Sequence, residues 1–154
     1  MGNYYSYESP YGKIMIGSYD SAITFIKING NHDPSGRNIA NALTDKAARQ
    51  LDEYFNGKRK YFDVPLNADG TDFQCRVWKA LQDIPYGKTR SYIDIARAIN
   101  NANASRAVGM ANNKNPIWIM IPCHRVIGAN GSLTGYGGGL EMKKKLLELE
   151  KITK

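Results

Sequence analysis

Cys123 closes the segment Asn-Pro-Ile-Trp-Ile-Met-Ile-Pro-Cys-His-Arg, residues 115–125. An apolar run, 117–121, lies between Pro116 and Pro122 and delivers a thiol that is followed at once by His124 and Arg125. A thiol is a useful nucleophile only as the thiolate, whose free pKa of about 8.5 falls beside cationic or proton-accepting groups. A lone cysteine in an apolar run is usually a packing residue. The proline that ends the run and the polar pair that follows favour chemistry instead. The other cysteine, Cys75, stands in a helical stretch between Gln74 and Arg76 with no histidine near it in sequence, and reads as structural.

A cysteine and a histidine need a third group to orient the imidazole. In the last helical stretch, a step of about 100° per residue puts Leu140, Leu146 and Leu147 on one arc, with Glu150 inside it. A carboxylate on an apolar face is costly unless paired, so Glu150 is the candidate. A frayed terminal helix with Glu150 in water is the alternative. Ahead of that helix stands Gly135-Tyr136-Gly137-Gly138-Gly139. Its spacing is not that of a phosphate-binding loop. A small-residue rim over a pocket and a glycine-rich helix entry both fit it.

These groups must be held by two kinds of structure. Residues 13–17 and 23–28 form β-rich runs around the turn-like 18–21, which predicts a hairpin. A polar loop over 29–38 leads to a helix with Leu43, Ala47, Leu51, Tyr54 and Phe55 on one face and Asn56-Gly57 as its stop. A short strand is expected at 61–66 and a linker at 67–70. Beyond that point the chain turns helical. Thr71 and Gln74 form a capping-box pattern before Phe73, Val77, Ala80, Leu81 and Ile84, and Pro85-Tyr86-Gly87 ends the helix. Ser91 caps a helix bearing Ile95, Ala96 and Ile99, with Asp94 at the reciprocal position. Four residues, 100–103, separate it from another short helix that starts near Ser105. Such a pair is a helix-turn-helix candidate or an ordinary helical hairpin. The second helix carries the small residues Ala107, Gly109 and Ala111, which permit close approach to a partner. It also carries Arg106 and ends in Asn112-Asn113-Lys114, side chains that reach phosphates or base edges.

The charge is uneven. Residues 1–71 hold eight Lys/Arg and eight Asp/Glu, whereas residues 72–154 hold thirteen and six, so the whole net charge of +7 lies in the second stretch. A polyanion partner explains that excess, and so does a basic surface with no partner. The length of 154 residues suits one ordinary domain or two small ones. Two cysteines and two histidines argue against a disulfide framework or a zinc site, and the thiols suit a reducing, cytoplasmic setting. No run of about 18 apolar residues is present and the N-terminal stretch lacks a signal-peptide pattern, so no membrane association is expected.

Pro122-Cys123-His124-Arg125-Val126, preceded by Asn115-Pro116, resembles the signature of the O6-alkylguanine-DNA alkyltransferases. Arg106-Ala107-Val108-Gly109, Ser91-Tyr92, Gly135-Tyr136 with Gly138-Gly139-Leu140, and Leu146-Leu147 with Glu150 fall in the family's order and spacing. The resemblance is firm from about residue 72 onward and general over 1–70. It implies an α+β fold: a ribonuclease-H-like N-terminal domain over 1–66 and a mainly helical winged helix-turn-helix domain over 67–154. It implies irreversible, single-turnover transfer of an alkyl group from O6-alkylguanine in double-stranded DNA to Cys123, with the base flipped out of the helix and no cofactor or metal. The expected protein is a monomer. Its catalytic residues are Cys123, His124 and Glu150 as nucleophile and relay, Asn115 ordering the adjacent turn, and Tyr92 as proton source for the guanine oxygen. Arg106, Ala107, Gly109, Ser105, Asn113 and Arg125 are expected at the DNA, and Tyr136, Gly137, Gly138, Val126 and Trp118 around the base. Trp118 and Gly137 depart from residues that many relatives carry. Cys123 argues against a non-repairing lesion binder, which lacks the acceptor thiol.

Overall fold

The computed structural model describes residues 2–30, 34–133, 135–136 and 139–152. They form an α+β structure of two compact units, Met1–Asp69 with Pro116–Trp118, and Gly70–Asn115 with Ile119–Lys154.

The first unit is a four-stranded sheet with one helix. Strands β1 (Asn3–Ser9), β2 (Gly12–Tyr19), β3 (Ala22–Ile28) and β4 (Arg37–Asn38) lie in the order β3-β2-β1-β4. The expected hairpin is present as β2 and β3. Asp20 and Ser21 form its two-residue turn, both at positive φ (50° and 66°), which matches the right-handed twist of the flanking strands. Strand β1 pairs antiparallel with β2 and parallel with β4. It escapes the sequence pattern because Asn-Tyr-Tyr-Ser-Tyr-Glu-Ser has no aliphatic alternation, and its side chains are half-buried rather than split between faces.

Helix α1 (Ala42–Phe55) starts at an Asn41–Thr44 capping box and buries Ala47, Leu51, Tyr54 and Phe55 with Ile14, Ile16, Ile23, Ile26 and Ile28 of the sheet. Each large apolar side chain so buried contributes about 1.5–3 kcal/mol. Residues 61–66 are not a strand. Ile23 donates to the Pro65 carbonyl and accepts from Asn67 N–H, a single bridge at Leu66. Pro65 has no N–H with which to extend a ladder. Ile26 makes a second such bridge with Ile117, bonded to the Pro116 carbonyl and the Trp118 N–H. The run 117–121 is therefore no strand either; Ile119 has φ +72°, which a β-branched residue rarely adopts, and turns the chain.

The second unit is helical. Helices α2 (Asp72–Gln82), α3 (Tyr92–Ala98) and α4 (Ser105–Asn113) pack on one another around Val77, Trp78, Leu81, Ile95, Ala96, Val108 and Ala111. The Thr71–Gln74 and Ser91–Asp94 capping boxes both form. Trp78 donates its indole N–H to the Ala111 carbonyl at 2.8 Å and so pins α4 to α2. Strands β5 (Arg90–Ser91) and β6 (Val126–Ile127) pair in parallel, a 3-10 turn spans Cys123–Arg125, and α5 (Leu140–Ile152) closes the unit. Cys75 does not pack: it lies exposed on α2, its thiol 3.7 Å from the Gly70 carbonyl. No helix among the described residues is long and apolar enough to cross a membrane.

Candidate active site

Pro122 ends the apolar segment, and Cys123 opens the 3-10 turn with its N–H donating to the Ile121 carbonyl at 2.8 Å. Two asparagines hold this turn from outside. Asn115 donates from Nδ2 to the Ile121 carbonyl at 2.8 Å, across the turn forced by Ile119. Asn112, on the buried side of α4, donates to the Cys123 carbonyl at 3.3 Å. The cysteine is 2% exposed, so its backbone is fixed and its surroundings exclude most water.

His124 is fully buried, and its Nε2 lies 2.6 Å from Glu150 Oε2. A carboxylate accepts, so Nε2 carries the proton and Nδ1 is left as the basic nitrogen. That Nδ1 is buried with no hydrogen-bond partner among the described residues. Burial disfavours the imidazolium and outweighs the raising effect of Glu150, so His124 titrates below the usual histidine range and is a neutral base near pH 7.

Glu150 is the hub. It lies on the buried face of α5 with Lys143 and Leu146, not in water. Burial opposes its ionisation, but hydrogen bonds from His124 and Arg125 and the Arg125 charge prevail and hold its carboxyl far below the ordinary range. Besides His124 it accepts from Arg125 Nε at 2.8 Å, Arg125 Nη2 at 3.0 Å and Gly87 N at 3.2 Å. Arg125 was expected at the DNA. It is buried instead, bidentate on Glu150, with Nη1 donating to the Ile84 carbonyl at 2.8 Å and the guanidinium 5.6 Å from the Tyr86 ring. A buried carboxylate that serves a neutral histidine needs a permanent counter-charge, and the adjacent arginine supplies it. The helix break at Pro85-Tyr86-Gly87 is part of the same device, because Gly87 at φ +77° presents its N–H to Glu150.

The remaining candidates divide. Val126 is buried directly after the turn, and Tyr136 is buried on the glycine segment. Burial first, then the charges of Cys123 and Glu150, push the Tyr136 phenol well above its ordinary value, so it stays protonated. Tyr92, half-buried at the first turn of α3, faces Gly109: a Cβ there would meet the Tyr92 ring at 3.7 Å. Arg106, Ala107 and Asn113 are exposed on α4, and Ser105 is half-exposed at its start. The Asn113 side chain lies against Gly135, where a Cβ would sit 2.9 Å from its Oδ1. Trp118 is placed in the first unit, with the Lys27 ammonium 4.8 Å from its ring centroid. Gly137 and Gly138 lie outside the described residues.

Sequence reasoning missed the site roles of Lys143 and Gly87 and misplaced Asn112. Lys143 had a signal: it falls on the same helical arc as Leu146 and Glu150, and it is completely buried. Asn112 was expected to reach phosphates or base edges with Asn113 and Lys114; it is buried instead and faces the Cys123 turn.

The comparisons with known proteins cover nearly the whole chain. Residues 72–152 match the family described as 6-O-methylguanine DNA methyltransferase, DNA binding domain, and residues 3–68 match its ribonuclease-like domain. A Methanosarcina acetivorans protein named methylated-DNA–protein-cysteine methyltransferase is 49% identical over 152 residues, 96% of this chain and 97% of that protein. The crystal structure of Mycobacterium tuberculosis O6-methylguanine methyltransferase superposes with a TM-score of 0.92 at 48% identity, covering 100% of this chain and 95% of that one. The M. tuberculosis protein in complex with DNA gives 0.93 at 48% identity, covering 98% and 94%. With both of its stretches matched in order, the chain belongs to the 6-O-methylguanine DNA methyltransferase family.

Proposed function

We propose that this protein repairs O6-alkylguanine in double-stranded DNA by moving the alkyl group to the Sγ of Cys123, once per molecule. The observation that carries this reading is the buried Glu150–His124 pair, which leaves Nδ1 as a neutral base on the residue that directly follows a buried cysteine. Nδ1, which makes no direct hydrogen bond among the described residues, takes the thiol proton through an intervening water, the thiolate attacks the alkyl carbon, and the carbon–oxygen bond breaks with its electron pair passing to the guanine oxygen. Tyr92 donates the proton that makes guanine a good leaving group. His124 then releases its proton to solvent and Tyr92 recovers one, so overall carbon exchanges a bond to oxygen for one to sulfur and guanine gains the proton that the thiol loses. A thioether is inert to the groups present, so the protein is consumed.

The target oxygen lies inside a duplex, and extruding the base costs a few kcal/mol. The exposed face of α4 suits that task. Arg106 fills the stack, while Ala107 and Gly109 let the helix approach the groove and Ser105 and Asn113 bond the backbone. Val126, Tyr136 and the glycine segment receive the base. The division of labour follows the fold, with residues 67–154 carrying both DNA binding and chemistry and residues 1–66 supporting them. The protein acts as a monomer in the cytoplasm.

The test is stoichiometric: excess duplex containing O6-methylguanine is incubated with a known amount of protein, and the modified base remaining is counted. One base lost per protein molecule supports the reading; several lost per molecule point to a cysteine hydrolase with the same triad and overturn it.

A further inference from the structure

Lys143 is the one lysine in the described chain with no exposed surface, and the reaction as derived above gives it no task. A buried ammonium is expensive unless something in the interior demands a positive charge there. Its surroundings name the demand. From the second turn of α5, Nζ donates to the Val126 carbonyl, just past the Cys123–Arg125 turn, and at 3.4 Å to the Gly135 carbonyl on the glycine segment. The lysine thus bridges the two backbone segments that flank the nucleophile.

We propose that Lys143 is a positioning residue for alkyl transfer: its ammonium ties the Gly135 segment to the backbone just past the Cys123 turn and places a positive charge beside the nucleophile's turn. The proposal rests on Cys123 being the acceptor. Four charged or titratable neighbours bear on it. Cys123 and His124, on the 3-10 turn that ends at Val126, feel its charge, and Tyr136 adjoins Gly135, its hydrogen-bond acceptor; Glu150 lies two turns further along α5, paired with Arg125. Burial lowers the lysine to about 8, and the Cys123 charge acts in the opposite direction, so thiolate and ammonium favour one another. His124 is the complement: the same positive charge helps to keep it unprotonated and so available to accept a proton. One cation stabilises the deprotonated nucleophile and discourages protonation of its base, a combination that a carboxylate-paired lysine could not give.

A purely mechanical clamp and a charge make different predictions, and DNA is not needed to separate them. In a Cys75→Ser background, which leaves Cys123 as the lone thiol, thiolate absorbance near 240 nm is followed against pH and corrected with Cys123→Ser. Lys143→Met, similar in shape but neutral, is expected to move the Cys123 titration upward by about one unit or more, a tenfold loss of thiolate at fixed pH on the rising limb. Lys143→Arg is expected to restore most of it. A folded Lys143→Met protein with an unmoved titration overturns the proposal. If Lys143→Met fails to fold, the parent protein still decides. The Lys143 side chain, observed by carbon NMR, is expected to titrate at lower pH in Cys123→Ser than in the Cys123 protein, and equal values overturn the proposal. Because neither experiment measures repair, loss of the repair reading would show only in the stoichiometry test above.

Discussion

The chemistry of this site depends on a proton being in one place. Glu150 accepts from Nε2 of His124, and that single bond decides which imidazole nitrogen is left to receive a proton. Replacing Glu150 with Gln removes the charge that Arg125 was buried against and frees the histidine tautomer. Loss of one partner from a buried ion pair costs about 3–5 kcal/mol. Glu150→Gln is therefore expected to lose that much in a urea unfolding curve, together with nearly all alkyl transfer. A variant with wild-type stability would show that the Arg125 pair is not structural. Stability should also follow pH with a definite sign. His124 titrates lower in the folded protein than its unfolded value of about 6.5, so the unfolded chain binds more protons just below that pH. The contribution is complete above about 6.5 and is lost as pH falls below it. Glu150, Asp94 and Asp63, all held low, act only below about 4. The urea midpoint should fall between pH 7.5 and 5 and be flatter in His124→Gln; an identical slope in both proteins would contradict the assignment. The meeting of Glu150 with His124 next to Cys123 was legible in the sequence because two are adjacent and the third broke an apolar arc. The roles of Arg125 and Lys143 were not, since charged side chains usually face water and only their tertiary partners explain their burial.

At the scale of elements, α4 faces two ways. Its exposed side carries Arg106 and Ala107, and its buried side is bonded to Trp78 through Ala111 and to the Cys123 turn through Asn112. The helix that carries the exposed face is thus bonded directly to the turn that holds the thiol. Gly109 separates stability from function. A Cβ there would meet the Tyr92 ring in ordinary contact, and an alanine in a helix is better than glycine by about 0.8–1 kcal/mol. Gly109→Ala is expected to raise stability by up to that amount while weakening binding to duplex DNA, measured by unfolding and by fluorescence anisotropy. Unchanged DNA binding would remove Gly109 from the interface. Capping boxes and the β2–β3 turn could be read from the sequence because a few adjacent residues determine them. Strand β1 and the turn at Ile119 could not. One relies on tyrosines that pack at half-burial, and the other on a positive φ that isoleucine adopts only where its surroundings impose it.

For the whole molecule, the separation of charge is the feature most relevant to DNA. The first stretch is balanced and the second carries all of the +7, as a sequence count already shows. With Arg125 and Lys143 buried, the charge available to a phosphate backbone comes from the other lysines and arginines of that stretch, Arg106 and Lys114 among them. Four or more phosphate contacts would weaken binding to undamaged duplex about a hundredfold between 50 and 200 mM salt. An affinity that varies less than about threefold over that range would argue against a charge-driven search. All of these expectations depend on Cys123 accepting the alkyl group, and that is measured most directly by mass. The intact protein is weighed after incubation with a duplex containing O6-methylguanine, and the digest is mapped, with Cys123→Ala treated in parallel. A single methyl on the Cys123 peptide, absent from the variant, is the predicted result; an unmodified protein, or a methyl on Cys75, would contradict it.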